Sequence, residues 1–160
     1  MVGLLAPQMI SLLAWGASHH VDAPELPAAP EEQRILIVED NPVNQLVAAR
    51  LVARLGYQWD HAANGREAVQ AVARREYTLI LMDCEMPEMD GWEATRQIRR
   101  AEARGPHVPI VAVTASTRRD NRERCLRAGM DDYLVKPLHE SILRAVLARW
   151  IGAPSRRRSH

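Results

Sequence analysis

Five polar residues follow short apolar runs, and their types are the parts of one reaction. Glu39 and Asp40 come after Ile35-Leu36-Ile37-Val38, and Asp83 comes after Leu79-Ile80-Leu81-Met82. Thr114 follows Pro109-Ile110-Val111-Ala112-Val113, and Lys136 follows Tyr133-Leu134-Val135. Three carboxylates in one crevice repel one another, and unaided one of them takes up a proton. A hard divalent cation removes that conflict, because Mg²⁺ favours oxygen ligands, keeps several waters and often binds one or two carboxylates plus a phosphate. The set then holds a carboxylate nucleophile, a cation for the phosphoryl oxygens, a fixed ammonium and a hydroxyl donor. Phosphoryl transfer onto an aspartate requires these groups. Lys136 is the only lysine in a chain with 21 basic residues, which sets it apart from the arginines.

These side chains meet only if the apolar runs are strands of one sheet, and the intervening sequence supports this. Asn41 is a good helix N-cap and Pro42 is favoured at the first helical position. Val43, Leu46, Val47, Leu51 and Leu55 then recur at helical spacing, and Gly56 stops the helix. A weaker strand is expected around Tyr57 to His61, a turn at Asn64-Gly65, and a second helix marked by Ala68, Val69 and Val72. A third helix is expected from about Gly91 to Ala103, an Arg-rich fourth as far as Ala128 closed by Gly129, and a last one marked by Ile142, Leu143, Val146, Leu147 and Trp150. Strand and helix thus alternate five times. Three of the strands are apolar throughout, which implies burial on both faces and a parallel sheet with helices on each side. Ligands of such open sheets bind outside the carboxyl ends of the strands, where the five polar residues stand.

The motifs VEDN at 38–41, MDCEMPEMDG at 82–91, TA at 114–115 and KP at 136–137 resemble the marks of the response-regulator receiver family of two-component signalling, in its order and spacing. The resemblance covers residues 34–150. It implies an α/β (βα)5 flavodoxin-like three-layer sandwich with a parallel five-stranded sheet in the order 2-1-3-4-5. It implies that Asp83 is the phosphoacceptor, with Lys136 pairing first with Asp83 and then with the phosphate, and Thr114 hydrogen-bonding the phosphoryl group. Mg²⁺, with Mn²⁺ as the alternative, would be held by Asp83, by Asp40 directly, by Glu39 through water and by the backbone carbonyl of Glu85. Ala115 would leave room for the incoming group. Tyr133 would turn inward when Thr114 moves, and the bond from Lys136 to Pro137 would be cis. Glu85 and Ser116 occupy positions at which the family tunes hydrolysis. The surface of the fourth helix, fifth strand and fifth helix would report the change, and is also the candidate homodimer face.

The wording EDNPVNQLVA and MDCEMPEMDGWEATRQIR is most similar to receivers attached to hybrid sensor histidine kinases. The implied partner is a histidine kinase or a histidine phosphotransfer protein. The chain would be a signalling module with self-phosphotransfer and slow autodephosphorylation, not a turnover enzyme. Three other readings fit less well. A pseudo-receiver would not need all five site residues. An aspartyl phosphatase would need a proton-donating acid at Glu85 together with further motifs. A flavin protein would need a Gly/Ser/Thr-rich phosphate loop after the first strand.

Bulk properties agree with a single domain. A net charge of +1 exerts no long-range pull toward nucleic acid or anionic membrane. Cys84 and Cys125 show no metal spacing and no disulfide framework, which suggests a reducing, cytoplasmic setting. Residues 1–33 read as an apolar segment and a Pro/Ala-rich linker, 34–150 as the folded unit and 151–160 as a basic tail. The run from Val2 to Trp15 is too short to span a bilayer, although Leu4, Leu5, Ile10, Leu12, Leu13 and Trp15 offer a weak interfacial contact. Ser18-His19-His20-Val21-Asp22 is faintly similar to a phosphorylated-histidine box, but His20 and Asp22 depart from it and prolines follow. Ten residues after Trp150 cannot form a DNA-binding region, so direct nucleic-acid binding is not expected. The arginines 118, 119, 122, 124 and 127 read as a solvated face or as a contact for an acidic partner.

Overall fold

A computed structural model describes residues 33–152. The readings of the apolar segment, of His19 and of the basic tail lie outside the described residues. Five strands, β1 (Arg34–Val38), β2 (Gln58–Ala62), β3 (Leu79–Asp83), β4 (Ile110–Thr114) and β5 (Asp132–Val135), form one parallel sheet in the order β2-β1-β3-β4-β5. The connecting helices are α1 (Pro42–Arg54), α2 (Gly65–Arg74), α3 (Gly91–Ala101), α4 (Arg119–Ala128) and α5 (Glu140–Ile151). The third helix closes two residues earlier than expected, and its last turn tightens into a 3-10 turn at Glu102–Arg104. No helix among the described residues is long and apolar enough to cross a membrane.

Strand side chains point alternately to the two faces of a sheet, and both faces of this one are buried. Leu36, Val38, Ile80, Met82 and Ala112 face α2, α3 and α4 through Ala68, Trp92, Ile98 and Cys125. Ile35, Ile37, Leu79, Leu81 and Val113 face α1 and α5 through Ala48, Val52, Leu143 and Leu147. This explains why the central strands read as unbroken apolar runs.

Local signals place the helix starts and stops. The Asn41 side chain accepts from the N–H groups of Val43 and Asn44 at 2.9 and 3.3 Å, and Asn64 and Asp90 cap α2 and α3 in the same way. Gly129 closes α4 at φ +100°, a left-handed conformation that a side chain would strain.

The apolar spacing located α1 but not its packed face. Ala48, Ala49 and Val52 are buried, whereas Val43, Leu46 and Val47 are 69%, 51% and 43% exposed. Leu51 and Leu55 pack against the core beside Val52, so the covered stripe is offset from Val43, Leu46 and Val47.

Gly91 joins the fold to the crevice. A β-carbon there would lie 2.1 Å from the Asp83 carbonyl oxygen and 2.9 Å from Met82 Cγ. The start of α3 is therefore packed onto the end of β3, and the Gly91 N–H donates to the Cys84 carbonyl at 3.1 Å. Gly91→Ala is expected to destabilise the fold by about 2–3 kcal/mol, the upper range for overpacking. Urea melts monitored by circular dichroism check this, and an unchanged midpoint would show that α3 can move away from β3 freely.

Candidate functional site

Parallel pairing brings the carboxyl ends of β1, β3, β4 and β5 to one edge of the sheet. Glu39 leaves β1, Asp83 ends β3, Thr114 ends β4 and Lys136 leaves β5. Glu39, Asp83 and Thr114 are buried there, while Asp40 is exposed at the rim. Lys136 Nζ donates to Glu39 Oε2 at 2.8 Å and to Asp83 Oδ2 at 3.1 Å. The other Asp83 oxygen accepts from the Glu85 N–H at 3.1 Å. The Asn41 N–H donates to Glu39 Oε1 at 3.0 Å.

Carboxylate oxygens of Glu39, Asp40 and Asp83 lie within 4.8 Å of one another. Lys136 is the one cation bonded to this group among the described residues. The imbalance shows in the acidities. Burial pushes the Asp83 carboxyl up to about 6, and the Glu39 charge adds to this, against the Glu85 N–H and Lys136. Burial also acts upward on Glu39, but Lys136 and the Asn41 N–H outweigh it and hold that carboxyl below its ordinary range. Burial alone would lower the Lys136 ammonium, yet Glu39 and Asp83 hold it above its usual value. Three carboxylates facing one ammonium, with one carboxyl driven toward its neutral form, make a set of oxygen donors that fits a hard divalent cation.

Around this group, Thr114 Oγ1 accepts from the Ser116 N–H at 3.1 Å. Ala115 is exposed, with Glu85 in the exposed loop after β3. The peptide bond between Lys136 and Pro137 is cis. Tyr133 lies half-buried on β5, opposite the small Ala112 of β4 and two residues along from the Thr114 level. The Arg122 guanidinium of α4 lies over its ring, 5.2 Å from the centroid.

Two neighbours carried no signal in the sequence. His61 Nε2 hydrogen-bonds to the Glu39 carbonyl oxygen at 2.8 Å, and Asn121 Nδ2 approaches Thr114 Oγ1 at 3.5 Å. Both contacts join separate elements, so no local spacing announces them.

Residues 35–148 match the family model of the response regulator receiver domain. The hybrid signal transduction histidine kinase B of Dictyostelium discoideum is 45% identical over 119 residues, which are 68% of this chain and 6% of that protein. The sensor protein GacS of Pseudomonas syringae pv. syringae is 40% identical over 128 residues, covering 79% of this chain and 14% of that protein. The chain therefore spans a small part of the curated relatives it matches. Among solved structures, the receiver domain of the sensor histidine kinase PA1611 from Pseudomonas aeruginosa PAO1 is 50% identical, with a TM-score of 0.69 over 76% of this chain and 98% of that one. Its active-site cleft holds a coordinated magnesium ion. The receiver domain of the Saccharomyces cerevisiae response regulator Ssk1, crystallised with the histidine phosphotransfer protein Ypd1, is 33% identical, with a TM-score of 0.69 over 74% of this chain and 88% of that one.

Proposed function

The chain belongs to the response regulator receiver domain family, and from that premise we propose that it accepts a phosphoryl group from a phosphohistidine donor onto Asp83 and relays a signal. One observation carries the reading above the others. The buried Asp83 carboxylate is held between Lys136 and the Glu85 N–H, beside Glu39 and Asp40, at the end of a central strand. Held by two donors, it keeps a fixed orientation toward an incoming phosphorus. An Asp83 oxygen forms the new P–O bond as the P–N bond of the donor breaks, and the departing imidazole takes a proton.

Asp40 directly, Glu39 through water, Asp83 and the Glu85 carbonyl are the residues that would hold Mg²⁺ or Mn²⁺. The cation's contribution when bound is to neutralise phosphoryl oxygens. Lys136 then exchanges part of its bonding from Asp83 to the phosphoryl group, and the Thr114 hydroxyl donates to another oxygen. The exposed, small Ala115 keeps the approach open, and the cis bond before Pro137 sets the path of the chain after Lys136. As Thr114 turns toward the phosphate, Tyr133 moves inward, and the surface of α4, β5 and α5 changes for a partner or a second copy of the chain. Slow autodephosphorylation resets the module. In this reading residues 34–150 are the receiver, the stretches before and after are linker and tail, the setting is cytoplasmic, and nucleic acid is not contacted.

Titration with beryllofluoride, which stands in for a phosphoryl group on a carboxylate, tests this. With Mg²⁺, amide shifts in the wild type are expected to spread from Asp83 through Thr114 to Tyr133 and α4. In Lys136→Ala, metal shifts are expected to persist while those at Tyr133 and α4 disappear. A wild type that does not respond would be a constitutive binding module.

The donor protein is expected to seat on the outward face of α1. Val47 and Asn44 line the same cleft as Glu39 and Lys136, and Val43, Leu46 and Val47 present bare apolar surface beside it. The complex formed by the similar Ssk1 receiver supports a histidine phosphotransfer protein as the occupant. Replacing both Leu46 and Val47 with Ala is expected to slow transfer from such a protein by about tenfold or more, given roughly 1.5 kcal/mol or more for each buried aliphatic side chain. Phosphorylation by acetyl phosphate should not change. Equal slowing with both donors would show damage to the site instead of loss of docking.

A further inference from the structure

The fold brings the chain's two cysteines together, although 41 positions separate them. Cys84 Sγ and Cys125 Sγ lie 3.7 Å apart, with Cys84 fully buried and Cys125 3% exposed. Cys84 directly follows Asp83, and its backbone is fixed on both sides. Its N–H donates to the Val113 carbonyl, and its own carbonyl accepts from the Gly91 N–H. Cys125 belongs to α4, on the helix face that packs against the sheet.

We propose that Cys84 and Cys125 form a reversible disulfide site, oxidised by hydrogen peroxide, that ties α4 to the phosphoacceptor end of β3. The sulfurs would close from 3.7 Å to about 2 Å, the length of a disulfide bond. A shift of about 1–2 Å in one helix provides this, a size usual for switching elements.

The chemistry divides between the two thiols. Cys125 is the attacking sulfur. The two sulfurs share one S–H···S contact, in which either can be the donor. Trp92 Nε1, buried and without a hydrogen-bond partner, and the Arg124 guanidinium favour an anion at Cys125. Arg124 is held over the Trp92 ring, 3.6 Å from its centroid, so this surrounding is built in. The Cys125 thiolate attacks one peroxide oxygen, the O–O bond breaks, and the leaving hydroxide takes a proton to become water. Cys125 is then a sulfenic acid. Cys84 gives up its proton and attacks that sulfur, the S–O bond breaks, and a second water leaves. Two thiols and one peroxide become one disulfide and two waters, and a small dithiol reverses the step.

The consequence for signalling rests on the proposed switching at Asp83, whereas the disulfide does not. A bond from α4 to the end of β3 fixes the helix within about 1–2 Å of its reduced position and opposes the movement that phosphorylation requires.

The experiment treats the folded, reduced chain with hydrogen peroxide. Intact mass and a non-reducing peptide map are read, and beryllofluoride with Mg²⁺ is then titrated into the oxidised and reduced forms. The expected result is a mass lower by two hydrogens, a Cys84 peptide linked to a Cys125 peptide, and reversal by dithiothreitol. No linkage is expected in Cys84→Ser or Cys125→Ser, whose amide spectra report that they fold. The oxidised form should bind beryllofluoride at least about fivefold more weakly, the low end of ordinary coupling between sites. Linkage only between molecules, or only after denaturation, would overturn the site. Linkage with unchanged beryllofluoride affinity would overturn the lock. A reduced wild type blind to beryllofluoride would overturn the phosphoryl reading, while the peptide map would still decide the disulfide.

Discussion

Asp83→Asn is expected to abolish acceptance of a phosphoryl group, by at least about 1000-fold, as for removal of other catalytic nucleophiles. The amide keeps the shape of the carboxylate, and its single acceptor oxygen can take the bond from Lys136 or the one from the Glu85 N–H, so the crevice loses one contact and keeps its form. What it lacks is the anionic oxygen pair that attacks phosphorus. Incubation with a radiolabelled phosphohistidine donor and Mg²⁺ measures this directly, and hydroxylamine distinguishes an acyl phosphate from a phosphoester. Label that persists on another residue would remove Asp83 from its place in the reaction. Glu39 and Asp40 are the nearest alternative acceptors. Lys136 already occupies Glu39 at 2.8 Å, and Asp40 is exposed at the rim without an equivalent clamp.

The same substitution is expected to act on stability with the opposite sign. Burial and the neighbouring Glu39 raise the Asp83 carboxyl from 3.8 to about 6 in the folded chain. A raised carboxyl favours folding fully below its unfolded value, and that contribution is lost as pH rises through its folded value. At pH 7.5 without divalent cations, the wild type therefore carries the penalty of a buried, poorly neutralised carboxylate. Asp83→Asn does not, and should be more stable by about 1–3 kcal/mol. The gap should shrink as pH falls through about 6 and close only below about 3.8, where the wild-type carboxyl is protonated in both states. Glu39, held below its ordinary range, works the other way, losing stabilisation as pH falls, but it is present in both proteins. Urea melts of the two proteins between pH 4 and 8 give the difference. Mg²⁺ should reverse the order by stabilising the wild type selectively, and its affinity should weaken below pH 6 as protons compete for the carboxylates. A variant less stable than the wild type at pH 7.5, or a gap independent of pH, would show that Lys136 already balances the crevice.

The sequence by itself determined the sheet and the edge of it that carries chemistry. An apolar run of four or five residues ending in a polar one has a single reading in a sheet buried on both faces, because only the last residue can reach solvent. Asn41 and Gly129 marked helix ends, because caps satisfy backbone groups within a few residues of themselves, whereas Asn64 was read only as a turn and Asp90 was not read as a cap. Asp83, Lys136, Thr114, Glu39 and Asp40 could be named together because each stands at the end of an apolar run or within two residues after it.

Which face α1 buries was decided only in the tertiary structure. Val43, Leu46 and Val47 have helical spacing and apolar character, yet they point outward. The helix is rotated so that Ala48, Ala49 and Val52 face the sheet, and hydrophobicity alone does not encode that rotation. Distances and charge balance inside the crevice were equally invisible. The raised carboxyl of Asp83 arises from burial and from a Glu39 that is 44 positions away in the chain. Cys84 and Cys125 looked like two unrelated thiols, one at the end of a strand and one in an Arg-rich helix. Their contact exists because α4 packs over the carboxyl end of β3, and a non-local pairing of this kind leaves no periodic trace in the sequence.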